Sequence, residues 1–179
     1  MADIVKRSGL SHGAVYLYFQ SKDDIIEALA VDRHRQEAIR SAVTDQVEEP
    51  IAALRALVRA YARWLTDPGA TLIQRVGVNG WSEALRNERV RAGVVEGIEA
   101  PRRLITDLIE SAQSRGLWSR HTNPDAIART LIALFQGLLL QKVWNQPLDI
   151  DAIVGTVDQM LDALATAQAP IKPRKQKRP

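Results

Sequence analysis

Apolar side chains recur three and four residues apart through nearly all of this chain, and glycine and proline fall mostly between the periodic stretches. That spacing lays an apolar stripe along each of a series of helices, whereas the apolar-polar alternation of half-buried strands is scarce. The expected fold is therefore all-α. A first short helix covers about Ala2–Ser8 and ends at Gly9; a second, capped by Ser11, runs to about Phe19; a third, capped by Ser21, carries Ile25, Ile26, Leu29 and Ala30. Beyond about Arg40 the helices lengthen. One opens at Pro50 and stops at Asp67-Pro68-Gly69, the next covers about Leu72–Leu85 with an interruption or kink near Gly77 and Gly80, and another spans about Val90–Arg115 with a kink or boundary at Pro101. Two more follow, about Asp125–Trp144 and a last helix opened by Pro147-Leu148-Asp149. The organisation expected is a small N-terminal unit (1–40), a larger helical unit (41–168), and a Pro- and Lys/Arg-rich tail (169–179) that cannot bury a core.

A chain of 179 residues buries roughly 70% of its unfolded surface and needs no covalent staples. The absence of cysteine excludes a disulfide framework, a thiolate metal site and a cysteine nucleophile, and fits a reducing, cytoplasmic setting. The longest apolar run, around Leu131–Leu140, is interrupted by Gln136 and Gly137, and no secretory leader is legible, so no membrane partner is expected. Net charge decides less. The tail residues Lys172, Arg174, Lys175, Lys177 and Arg178 account for the excess, and without them the formal charge falls from +3 to −2. In the first forty residues Lys6, Arg7, Lys22, Arg33, Arg35 and Arg40 are balanced by Asp3, Asp23, Asp24, Glu27, Asp32 and Glu37. Any nucleic-acid reading must come from the placement of individual residues.

That placement is found between Gly9 and Lys22, in the sequence GLSHGAVYLYFQSK. Gly9 permits a tight turn, Leu10 fills the angle between two helices, and Ser11, His12 and Gly13 stand at the start of the second helix, where recognition helices meet base edges. His12 has ring nitrogens for a base, Gly13 and Ala14 let the backbone come close, and Ala14 offers thymine methyls an apolar surface. Tyr16 and Lys22 suit phosphate, Lys22 lying beside the Ser21 cap. Val15 and Phe19, four residues apart, face inward as core.

The order Gly-Leu-Ser-x-Gly-Ala-x-Tyr-x-Tyr-Phe-x-Ser-Lys resembles the DNA-reading unit of tetracycline-repressor-like (TetR family) regulators, specifically over Ala2 to Arg40 and loosely, through helix number and order, beyond. The resemblance implies a helix-turn-helix in which Ser11, His12, Gly13, Ala14, Tyr16 and Leu17 face a double-stranded DNA operator and Lys22 holds phosphate. It also implies an all-helical C-terminal domain that dimerises and binds a small-molecule effector, whose binding weakens the hold on DNA. Three features depart from the family pattern. His12 stands where many members have a long basic or amide side chain, Asp3 sits poorly near phosphate unless paired, and the family's first helix precedes the one that starts here. The expectation is a helix encoded upstream of Met1; the alternative is a helical ligand-binding dimer that has lost specific DNA reading.

In the larger unit, Ile127, Leu131, Leu134 and Leu138 form one apolar face of their helix, while Phe135, Leu139 and Val143 form a second. One face serves the core and the other suits a two-fold interface, so the homodimer contact is expected from Leu131, Phe135, Leu138 and Leu139 with Ile153, Val157, Met160 and Leu164. Candidate effector contacts are Tyr61, Trp64, Gln74, Asn79, Trp81, Ser82 and Trp118, apolar walls with a few polar anchors. The effector's identity is not legible. No phosphate-cradling glycine loop, nucleophile context or metal spacing among His12, His34 and His121 is found, so neither enzyme chemistry nor a cofactor is expected.

Overall fold

The computed structural model describes residues 1–21, 24–25, 49–86 and 88–167, and the described residues contain helices and no strand. Two short helices come first, α1 (Ala2–Ser8) and α2 (His12–Tyr18). The larger unit is built from α3 (Pro50–Thr66), α4 (Thr71–Ala84), α5 (Glu88–Ser114), α6 (Pro124–Val143) and α7 (Ile150–Ala165), with a 3-10 turn at Pro68–Ala70. The expected third helix shows only its start. Ser21 Oγ accepts from the Asp24 amide at 3.2 Å while Asp24 Oδ2 accepts from the Gln20 and Ser21 amides at 2.8 and 3.2 Å, a reciprocal cap of the kind that opens a helix. Lys22, the rest of that helix and the tail from 168 on lie outside the described residues.

Helix boundaries follow the local chemistry. Pro50 and Pro124 occupy first-turn positions, where a missing N–H costs nothing. The side chains of Asn123 and Asp149 each accept an amide N–H in the first turn of α6 and α7, both at 3.0 Å. Gly116, at φ 71°, ends α5 in the left-handed conformation, and the amides of Gly116 and Leu117 close back onto the carbonyls of Gln113 and Ala112 at 3.2 and 2.9 Å. Two boundaries expected as possibilities do not occur: α4 runs without interruption through Gly77 and Gly80, and α5 is continuous through Pro101, which is exposed.

The core is a single cluster centred on α5. Its Ile105, Leu108, Ile109 and Ala112 meet Ala53, Leu54, Leu57 and Val58 of α3, Ile127, Ala128, Leu131 and Ile132 of α6, and Val157 and Leu161 of α7. α6 is long and apolar enough by length and composition to cross a membrane, but its buried residues sit in this shared core and it carries Asp125, Arg129 and Lys142. Ion pairs rim the core. Arg55 reaches Asp158 and Asp162 at 2.7 and 2.5 Å and Arg59 reaches Asp158 at 3.1 Å, clamping α3 to α7. Arg102 of α5 bonds Glu99 at 2.6 Å and also Asp125 of α6, which in turn accepts from Arg129 at 2.9 Å.

Hydrogen bonds from Arg129 and Arg102 hold the Asp125 carboxyl below its ordinary value, and those from Arg102 do the same for Glu99. A depressed carboxylate contributes stability that is present above its unfolded pKa and disappears as pH falls through the folded value. These groups are partly solvated, so the effect is modest. Thermal denaturation from about pH 6 down to about pH 3 should therefore show a shallower acid loss of stability in Asp125→Asn than in the parent, with the difference arising below about pH 4. Parallel curves for the two proteins would remove Asp125 from the acid response.

Candidate nucleic-acid interface and effector region

α1 and α2 are joined by a turn of two features. Gly9 adopts φ 72°, and the Ser8 hydroxyl donates to the Val5 carbonyl at 3.0 Å while accepting from the Leu10 amide at 3.2 Å. The chain therefore reverses within two residues, and α2 starts at once with Ser11 as its N-cap, its Oγ accepting from the Ala14 amide at 3.1 Å. This is the helix, tight turn, helix arrangement read from the sequence.

Helical spacing then sorts the side chains of α2. Val15 is buried and Ala14 and Tyr18 are half-buried on one side, whereas His12, Gly13, Tyr16 and Leu17 fall on the other and are exposed, Leu17 at 73%. An exposed leucine and an exposed tyrosine on one short helix form an apolar surface that serves nothing within the described residues. Gly13 carries the same message. A Cβ built there meets nothing within 4 Å, so no contact among the described residues requires glycine, although glycine is a poor helix former. The His12 and Tyr16 rings stack with centroids 4.4 Å apart and planes 17° from parallel. Of the predicted DNA-facing residues, the structure thus gathers Ser11, His12, Gly13, Tyr16 and Leu17 on one exposed face; Ala14 turns partly inward, and Lys22 lies outside the described residues.

The predicted effector residues do not form one cluster. Tyr61 stacks on Phe135 with centroids 4.4 Å apart, donates its hydroxyl to the Phe135 carbonyl at 3.1 Å, and lies 5.3 Å from the Trp64 ring. Gln74 is buried, its amide nitrogen donating to the Trp64 and Leu65 carbonyls at 2.9 and 3.3 Å and so satisfying the end of α3. Trp118 belongs to the core and donates from Nε1 to Thr122 Oγ1 at 2.9 Å. Asn79 and Ser82 are exposed and Trp81 half-buried on α4. What the sequence did not single out is a shallow apolar hollow, open to solvent, lined by Val58, Tyr61 and Leu65 of α3, Phe135 and Leu138 of α6, and the N-terminal half of α7. It takes Phe135 from one expected apolar face of α6 and Leu138 from the other.

Of the residues expected at a two-fold interface, Leu131, Leu139 and Val157 are instead buried in the protomer's own interior. Phe135, Leu138 and Ile153 line the hollow, half-buried. Leu164 is half-buried and Met160 exposed, alongside exposed Leu134 and Trp144 at 37% and 64%.

Replacing the cap tests the local architecture. Ser11→Ala should speed hydrogen exchange at the Ala14 amide by about fivefold, the equivalent of an N-cap worth about 1 kcal/mol. An unchanged exchange rate would mean that the cap does not hold α2 in solution.

Comparison with known proteins bears on both units. Residues 50–166 match the family described as the C-terminal region of BetI-type transcriptional repressors, and residues 1–29 match bacterial regulatory proteins of the tetR family. The transcriptional regulator AcuR of Cereibacter sphaeroides is 27% identical over 141 residues, which are 78% of this chain and 64% of that protein, so the chain spans just under two thirds of this relative's length. In fold, a TetR-family transcriptional regulator from Rhodococcus sp. is similar at a TM-score of 0.63 and 19% identity, over 92% of this chain and 86% of that one. GusR of Salmonella enterica is similar at a TM-score of 0.53 and 22% identity, over 93% and 84%. The chain belongs to the TetR family of bacterial transcriptional regulators, with a C-terminal region of the BetI type.

Proposed function

We propose that this chain is the protomer of a cytoplasmic homodimeric repressor that binds a near-palindromic operator through α2 and leaves it when a small molecule occupies the larger unit. The observation that carries the reading is the bare face of α2. His12, Gly13, Tyr16 and Leu17 are exposed together, and among the described residues neither the leucine nor the glycine meets a contact that requires it. A major groove supplies the reason, since it accepts a helix, offers thymine methyls to Leu17 and favours a close backbone at Gly13. Lys22 and the Tyr16 hydroxyl serve as phosphate contacts in this reading.

The division at about residue 40 into a DNA-reading unit and an effector and dimerisation unit belongs to the same proposal. Dimerisation uses the surface of α6 and α7 where Leu134, Leu138, Ile153, Met160 and Leu164 retain exposure. The effector region centres on Tyr61 and Trp64, beside the hollow between α3, α6 and α7, and its apolar lining favours an apolar body in the effector. Family membership supports a regulator without chemistry of its own.

Fluorescence anisotropy of a labelled duplex from the gene's own upstream region, set beside unrelated DNA at near-physiological salt, tests the reading. Specific, saturable binding is expected; equal binding to both duplexes by a folded, dimeric protein would leave a ligand-binding dimer without site-specific DNA reading. Gly13→Ala sharpens the test, because it should raise stability by up to about 1 kcal/mol while weakening operator binding. Affinity unchanged by the added methyl would mean that no surface approaches α2 closely at that position.

A further inference from the structure

We propose that Tyr16 is a positioning residue for base readout, its ring holding the His12 imidazole edge-outward so that the histidine reads a purine at one position of each half-site; this rests on the reading of α2 as the recognition helix. The observation is the stack itself. The two residues are one helical turn apart on the exposed face, their ring centroids are 4.4 Å apart, and their planes are within 17° of parallel. Side chains on a helix lean toward its N-terminus, so Tyr16 reaches back along the turn that bears His12. Near-parallel aromatic rings at this separation attract each other.

The consequence is geometric. One face of the imidazole is covered by the phenol ring, and no hydrogen bond to either ring nitrogen or to the Tyr16 hydroxyl is found among the described residues. A hydrogen bond from imidazole lies in the ring plane, along its edge. A ring fixed at its face but unbonded at its edge is thus aimed before it meets DNA, and less side-chain freedom is lost on binding. In either protonation state the imidazole keeps at least one N–H donor. In the major groove the acceptor shared by guanine and adenine is N7, which cytosine and thymine lack at the corresponding edge. A donor held at the N7 position therefore favours a purine over cytosine, which offers no acceptor, and over thymine, whose methyl stands there and whose O4 is displaced, a coarser reading than the two-pronged contact of an arginine or glutamine. Tyr16 is left with two separable parts, a ring that aims His12 and a hydroxyl available to phosphate.

The separation makes the proposal testable with the whole chain. Selection from a pool of duplexes randomised over about 20 base pairs should yield a site with a purine preference that His12→Ala lowers by roughly three- to tenfold at that position, the range of one hydrogen bond. Tyr16→Phe keeps the stack and should keep the preference while weakening binding to all sequences alike; Tyr16→Leu should lose the preference with His12 still in place. A Tyr16→Leu protein that retains the purine preference, where His12→Ala loses it, overturns the positioning role and leaves the DNA reading intact. No selected site at all from a folded parent overturns the DNA reading itself, and the role of the stack with it. The stack can also be read without DNA. In the proton NMR spectrum of the free protein the His12 ring protons should move upfield in the parent and in Tyr16→Phe relative to Tyr16→Leu, and identical shifts in all three would overturn the proposal independently of any binding result.

Discussion

The larger unit depends on burial of one stripe of α5. Ile105, Leu108, Ile109 and Ala112 sit at three- and four-residue spacing and are all nearly inaccessible, Ile109 completely so. α3, α6 and α7 pack their own stripes around them, and Trp118, just beyond the end of α5, closes the same cluster. Burying each large apolar side chain contributes about 1.5–3 kcal/mol, whereas the ion pairs at the rim are partly solvated and worth far less. The ion pairs are better regarded as setting register. Arg55 and Arg59 place α7 along α3, and Arg102 places the start of α6 along α5 through Asp125.

The N-terminal pair has a different balance. α1 contributes no buried residue and α2 only Val15, so within the described residues the pair is held mainly by backbone devices: the left-handed Gly9, the Ser8 bonds that shape the turn, and the Ser11 cap. Those devices fix where α2 begins and which way it faces. With the apolar side of α2 turned toward α1, the side bearing His12, Gly13, Tyr16 and Leu17 is exposed. Among the described residues Ile4, Val5, Leu10, Tyr18 and Phe19 are half-buried around Val15, while Tyr16 and Leu17 stay exposed.

Much of this was legible in the sequence, and the reasons are particular. Gly9, Ser11, Ser21, Pro50, Asn123-Pro124 and Gly116 mark helix ends through local chemistry that neighbours do not override, so those boundaries were readable within a residue or two. Gly77, Gly80 and Pro101 carry the same kind of signal in helix interiors, where a weak helix preference marks an interruption or a kink without deciding between them, and there neither helix is interrupted. The face of α2 was readable because Val15 and Phe19 declare its inner side. Assigning the two apolar faces of α6 was not, since periodicity shows that both are apolar without saying which meets α5; hence Leu131 and Leu139 went to an interface when they lie inside. Gln74 and Trp118 were singled out for chemical type, and their hydrogen bonds to Trp64, Leu65 and Thr122 are long-range or loop contacts that no local pattern reveals.

The central claim is that the exposed face of α2 enters the major groove in a two-fold assembly, and protection of guanine N7 from methylation on the upstream duplex tests it most directly. Guanine N7 lies in the major groove, so a dimer reading through paired α2 helices should protect two short patches centred about 34–36 Å, one helical turn, apart, and the protection should vanish in a His12→Ala, Leu17→Ala double variant. Diffuse protection, or a protected patch that the double variant retains, would contradict the assignment of α2 as the reading helix.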